Sequence, residues 1–181
     1  LIPSRFSRIP WLFQSGAVHI DAAVIQITPP DEQGHASLGL GVDVARHAME
    51  QASLVVAEIN PGIPRTIGDT FVHVDDFDFF VEAKEPPIYL PRWPVPEAYD
   101  RIAGHIASIV EDGSCLSFSI GPIYEALACH LWKKKHLGIH TPFFTDALMD
   151  LVNSGAVTNR RKRFFQGKSV AAYVLGTQAL M

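Results

Sequence analysis

Short apolar runs bounded by turn residues alternate along this chain with stretches in which apolar residues recur every three to four positions. The first run, Ala22-Ala23-Val24-Ile25-Gln26-Ile27, stops at Pro29-Pro30 and reads as a buried strand. Asp31-Glu32-Gln33-Gly34 follows as a turn. Between Val42 and Ala52, residues Val42, Ala45, Met49 and Ala52 share one helical face. Leu54 to Ile59 predicts a second buried strand, closed by Asn60-Pro61-Gly62, and Phe77 to Val81 is a candidate third.

Five of the twelve residues from Glu85 to Pro96 are proline. Proline fixes φ and removes a donor, so residues 86–96 predict an extended linker between parts at 1–85 and 97–181. Beyond it, Pro96 to Val110 predicts a helix that packs through Ile102, Ile106 and Ile109. Asp112-Gly113 ends it, and Cys115 to Ile120 reads as a strand. Gly121-Pro122 opens a helix through Lys135, with proline in the first turn where its missing N–H costs nothing. Leu137 to Phe144 predicts a short strand. Thr145 is expected to cap a helix through Asn153, helped by Asp146 and stopped by Gly155, and Ser169 to Leu175 predicts a last strand. This alternation predicts an α/β fold: parts of two open α/β domains with mainly parallel sheets, joined by the proline-rich linker. The chain starts at Leu1 and stops at Met181 inside a predicted helix, which leads us to expect a fragment of a longer protein.

Composition narrows the function classes. Hydrophobic residues make up 48% of 181 and charged residues 19%, enough apolar material for a buried core and too little charge for global disorder. A net charge of −4 argues against a general nucleic-acid binder. No apolar run reaches the roughly 18 residues of a membrane span. Cys115 and Cys129 cannot build a disulfide framework or a zinc quartet, so a reducing, cytoplasmic setting is the expectation. The charge is uneven. Residues 1–112 hold 7 basic and 16 acidic side chains, and residues 113–181 hold 8 basic and 3 acidic. Either these are solvated faces of opposite sign, or the second part attracts an anion.

Three segments carry more polar detail than packing requires. Pro29 to Gly39 lies at the C-terminal end of a predicted strand, where open parallel sheets bind ligands. Ser119-Ile120-Gly121-Pro122 joins a strand to a helix, and backbone N–H groups at such a turn suit a phosphate, a carboxylate or a developing oxyanion. It is neither a P-loop nor a GxGxxG fingerprint, which disfavours a Rossmann oxidoreductase. The third segment, Leu137 to Asp146, follows Lys133-Lys134-Lys135. His136 and His140 in this region are four apart, but Gly138 intervenes and no acidic ligand is near, so no metal site is expected. His105 and His130 on predicted helices read as structural. Arg160-Arg161-Lys162-Arg163 reads as a solvated loop, as a nucleic-acid patch for which one short cluster in an acidic protein is weak evidence, or as charge that an anionic cofactor such as coenzyme A would use.

Together these segments resemble the acetyl-CoA hydrolase/transferase family, which includes the 4-hydroxybutyrate and acetate CoA-transferases. The similarity is carried by Asp21 through Gly39, Glu58-Ile59-Asn60, Pro64 through Gly68, Leu116 through Ile123, Leu137 through Thr141, and Asp150 through Asn159. The resemblance implies a protein more than twice this long. The chain would then hold the latter half of a first CoA-transferase-like domain (1–85), the linker (86–96) and the beginning of a second such domain (97–181). It also implies coenzyme A as substrate or ligand, an acyl-CoA such as acetyl-CoA and a carboxylic acid as partners, and no membrane or nucleic-acid partner. A homo-oligomer is compatible with it. Ser119, Ile120, Gly121, Asn60, Gly34 and His140 are the CoA- or substrate-binding candidates, with the basic second part expected to meet the phosphates. In the family a glutamate carboxylate attacks the thioester and passes through a covalent glutamyl-CoA. The matching position here is Pro142, which has no nucleophile, so Glu125 is the candidate substitute and Asp146 a second. The family's Gly-Ile-Gly turn is here Ser119-Ile120-Gly121, which keeps the backbone donors. The reading is thus a CoA-transferase or acyl-CoA hydrolase-like protein without the family nucleophile. Its alternative is a non-catalytic acyl-CoA-binding or regulatory module.

Overall fold

A computed structural model describes residues 3–181. Its elements run α1 (Ile9–Gln14), β1 (Ala22–Ile27), β2 (His35–Ser37), α2 (Ala45–Gln51), β3 (Leu54–Ile59), β4 (Phe71–His73), β5 (Phe79–Glu82), α3 (Glu97–Ile109), β6 (Cys115–Leu116), α4 (Pro122–Leu131), β7 (Gly138–Phe144), α5 (Asp146–Asn153) and β8 (Val170–Val174). The fold is α/β with mainly parallel sheets. The chain divides into two compact units, one ending at Ile88 and the other beginning at Tyr89.

In the first unit β3 is central, with β1 and β5 parallel on either side. β1 and β3 pair over six residues, from Ala22↔Leu54 to Ile27↔Ile59. Pro29-Pro30 and Pro61 remove the donors a longer ladder would need. The two runs are half-buried strands rather than fully buried ones. Ala23, Ile27, Val55 and Ala57 enter the core, while Val24 is 72% exposed and Gln26 bonds Glu58 across the strands. The predicted α2 face is correct, since Val42, Ala45, Met49 and Ala52 pack on this core, but the helix itself spans only Ala45–Gln51. The candidate third strand begins two residues late, at Phe79, because Phe77 turns into the core. A short antiparallel pair, β2 with β4, is not anticipated by the sequence pattern.

In the second unit β7 lies between β6 and β8, all parallel. Leu116, Phe118 and Ile139 meet Leu127, Leu131, Leu148 and Leu151 from α4 and α5 in one core. α3 joins it by a face other than the expected one. Ala103 and Ala107 are buried, Ile106 is partly buried, and Ile102 and Ile109 are 48% and 79% exposed. Small side chains let α3 approach α4 closely, where Gly104 lies against the His130 ring and His130 pairs with Asp100 at 2.8 Å. α4 ends at Leu131 rather than Lys135, and the Lys135 N–H turns to the Asp112 carboxylate. Thr145 occupies the N-cap of α5, yet its side chain makes no cap bond. Its backbone carbonyl accepts from Leu148 and Met149 instead. The closing residues Gln178–Leu180 form one 3-10 turn.

Candidate functional site

The strand predicted over Cys115 to Ile120 ends after Leu116, and one hydroxyl explains why. Thr141 on β7 is buried, and its Oγ1 accepts from the Phe118 N–H at 2.8 Å and donates to the Phe118 carbonyl at 2.7 Å. Both ladder groups of Phe118 are thus occupied by a side chain, and the chain leaves the sheet toward Ser119 and Ile120. Gly121 then enters α4 with φ 125° and ψ 173°, a conformation reserved for glycine. A Cβ built on Gly121 would meet nothing within 4 Å, so open space lies beside the turn. Among the described residues no acceptor takes the N–H groups of Ile120 and Gly121. These donors border a shallow crevice, too narrow as it stands to hold a water molecule, lined by Trp93, Ser119, Tyr124, Glu125 and Thr145. The arrangement suits a carbonyl oxygen or a small anion at the C-terminal end of a parallel sheet.

The carboxylates near the turn are tied down. Glu125, 5% exposed, accepts from Arg92 Nε at 3.0 Å and Nη2 at 2.6 Å. Arg92 Nη1 also pairs with Asp150 at 2.7 Å. Burial works against the Arg92 charge, but its hydrogen bonds to Glu125 and then Asp150 prevail and hold its pKa above the ordinary guanidinium value. Asp146 accepts from the Thr177 N–H at 2.9 Å and hydroxyl at 2.6 Å, so it binds the C-terminal segment and does not assist the α5 cap. Pro142 lies exposed on β7, flanked in the ladder by Thr141↔Ala171 and Phe143↔Tyr173. His140 shares its face, exposed and edge-on to Phe165 with ring centroids 6.1 Å apart.

The remaining candidates belong to the first unit. Gly34, at φ +81°, closes the Asp31 turn under the His73 ring, which a Cβ would meet at 2.7 Å. Asp31 accepts the backbone N–H groups of His35 and Gln33 and an Arg65 bond at 2.8 Å. The His35 N–H is the main cause of a lowered Asp31 pKa, opposed by some burial and reinforced by Gln33 and Arg65. Asn60 is 3% exposed, and its side chain ties its own loop to the segment at Glu85, accepting from the Gly62 N–H and donating to the Glu85 carbonyl.

The basic residues are not brought to the Ser119–Gly121 turn. All eight after residue 112 fall in the segments that precede β7 or β8, at the N-terminal ends of these parallel strands. The turn lies toward the opposite end of β7, and of these residues Lys162 reaches the strand itself, at the Ile139 carbonyl. Lys162, in a run expected to be solvated, is 5% exposed. Sequence reasoning also missed Arg92, which is 33 positions from Glu125 and sits in the proline-rich stretch. No group of three His, Cys, Asp or Glu side chains among the described residues could hold a metal ion. No helix among them is long and apolar enough to cross a membrane.

Comparison with known proteins bears on this site. Residues 1–90 match the acetyl-CoA hydrolase/transferase N-terminal domain. The chain is 39% identical over 178 residues to the 4-hydroxybutyrate coenzyme A transferase of Clostridium kluyveri, covering 98% of this chain and 42% of that protein. It is 37% identical over 179 residues to the succinyl-CoA:cyclohexane-1-carboxylate CoA transferase of Geobacter metallireducens, covering 99% and 41%. The crystal structure of 4-hydroxybutyrate CoA-transferase from Porphyromonas gingivalis superposes with a TM-score of 0.92 at 32% identity, over 99% of this chain and 46% of that one. RipA from Yersinia pestis gives 0.94 at 32%, over 99% and 42%. The chain therefore spans less than half the length of the relatives it matches.

Proposed function

Because the chain belongs to the acetyl-CoA hydrolase/transferase family, we propose that it binds a CoA thioester at the Ser119–Gly121 turn and does not form the family's glutamyl adduct at position 142. The observation that carries this reading is the pair of free N–H donors at Ile120 and Gly121, facing open space next to the strand that holds Pro142. In this reading the donors take the thioester carbonyl oxygen, aided by the partial positive charge at the start of α4. Trp93 and Tyr124 line the crevice beside these donors. Arg92 keeps Glu125 engaged and the crevice free of an unpaired carboxylate.

Covalent transfer needs an ionised oxygen that attacks the thioester carbon as the CoA thiolate leaves. The prolyl ring of Pro142 offers none. Glu125 and Asp146, the candidates for its place, already accept two hydrogen bonds each. Their engagement favours the non-catalytic acyl-CoA-binding reading over a transferase with a displaced nucleophile. His140, on the same strand face as Pro142, is the side chain we assign to the acyl side of the ligand. Asn60 and Gly34 act by shaping their loops rather than by direct contact.

The test has two arms. Calorimetry of the intact protein with acetyl-CoA checks binding, and its absence would overturn the reading. Intact-mass measurement after incubation with acetyl-CoA checks chemistry. The parent is expected to gain no mass, and Pro142→Glu is expected to gain a CoA adduct that borohydride removes. An adduct on the parent would make Glu125 the next residue to substitute.

A further inference from the structure

The ladder between β7 and β8 begins at His140↔Val170, one residue too late to serve Ile139. In a strand the N–H and C=O of one residue point to the same side, so both Ile139 groups face the place where β8 has not yet started. Two side chains from the loop before β8 fill the gap. Asn159 Oδ1 accepts the Ile139 N–H at 2.8 Å, and Lys162 Nζ donates to the Ile139 carbonyl at 2.7 Å. Each also holds the loop that enters β8. Asn159 Nδ2 donates to Ser169 Oγ at 3.0 Å, and Lys162 Nζ donates to the Lys168 carbonyl at 2.8 Å. Both residues are buried, at 6% and 5% exposure. Asn159 has φ 57°, a left-handed conformation that asparagine tolerates better than most residues. The Lys162 stem lies over Gly138, where a Cβ would meet its Cγ at 2.6 Å.

Burying an ammonium is costly unless it is hydrogen-bonded, and Lys162 Nζ meets that need through two backbone carbonyls rather than a carboxylate. We propose that Lys162 and Asn159 are positioning residues: they replace the missing first rung of the ladder and hold β7, and through Thr141 the Ser119–Gly121 turn, at the spacing the ligand needs. Thr141 is two residues beyond Ile139 and grips Phe118 directly, so a shift of β7 moves the turn's anchor. The effect on ligand affinity rests on the proposed CoA site. The effect on β7 does not.

The experiment uses the intact protein and two variants. Lys162→Ala opens a cavity beside two orphaned carbonyls, and Lys162→Met keeps the apolar stem without the ammonium. Hydrogen exchange of the 137–144 segment is expected to quicken about tenfold or more in both, because unsatisfied buried acceptors loosen the strand. Propylamine, whose ammonium can enter the cavity, is expected to slow exchange again in Lys162→Ala and to leave Lys162→Met unchanged. Acetyl-CoA affinity should fall and recover in step. A Lys162→Met variant that exchanges as slowly as the parent would show that bulk alone suffices, and overturn the proposal. So would a Lys162→Ala variant indifferent to the amine. Unaltered affinity in both variants overturns the link to the turn. A parent that binds no acetyl-CoA defeats the proposed function instead, while the exchange result still decides the role of Lys162.

Discussion

The two ends of the second sheet are built from opposite materials. At the C-terminal end the open donors are backbone: among the described residues no acceptor takes the N–H groups of Ile120 and Gly121, while the nearby acids are held by Arg92 and Thr177. At the N-terminal end the polar groups are side chains, including every basic residue after position 112. A charge count along the chain merges these ends, because residues adjacent in sequence alternate between them as each strand is crossed. A parallel sheet thus converts sequence intervals into polarity: loops after strands reach one end, loops before strands the other. The surplus of positive charge in the second part is real, but it belongs to the end without the turn.

That contrast can be challenged at either end. The largest effect is expected from Thr141→Val, which keeps shape and strands both polar groups of Phe118. Unfolding in denaturant should show a loss of about 2–3 kcal/mol, the scale of buried unsatisfied groups, and acetyl-CoA affinity should drop with it. Arg92→Met frees Glu125 in its buried position and also releases Asp150. Arg92 is 41% exposed, so water softens the penalty, and a loss of about 1–2 kcal/mol is expected rather than the full cost of breaking a buried pair. A smaller response tests the other end. Neutralising Arg160, Arg161 and Arg163 together to glutamine should leave acetyl-CoA affinity within about threefold at physiological salt, where exposed charges are screened over roughly 8 Å. A loss of more than tenfold would bring the basic end into the ligand site and dissolve the contrast.

The smallest effect is one of pH in the first unit. Asp31 has a folded pKa below its ordinary 3.8. Its stabilising contribution is therefore present above that value and is lost as pH falls through the lower folded value. Asp31→Asn has no such acid limb. The melting temperatures of parent and variant should differ near neutrality and converge below pH 3.8. A gap that stays constant into acid would remove Asp31 as the source.

The legible parts of the fold were those with one strong signal each. β1 and β3 were bounded correctly because apolar runs met Pro29-Pro30 and Asn60-Pro61-Gly62 at their ends. β2 and β4 escaped because three-residue strands in polar loops carry no periodicity to read. The α3 face was misjudged because alanines at 103 and 107 permit close helix contact, which outweighed the larger isoleucines beside them. At the candidate site, the turn at Ser119–Gly121 followed from a strand meeting a Gly-Pro helix start. The grip of Thr141 on Phe118 spans 23 residues, and that of Arg92 on Glu125 spans 33, so neither leaves a local trace. Lys162 was hidden by its neighbours, because one buried lysine inside a run of exposed arginines has no distinguishing composition.

Gly121 separates two kinds of mutational tolerance that usually travel together. Judged by room, position 121 would admit almost any residue, since nothing lies within 4 Å of a new Cβ. Judged by backbone, it admits none without strain, since φ 125° with ψ 173° disfavours every L side chain by an amount on the order of 1–3 kcal/mol. A saturation library at this position should therefore show a nearly flat penalty from alanine to tryptophan, independent of side-chain volume. At a packed glycine such as Gly138, under the Lys162 stem, the penalty should instead climb with size.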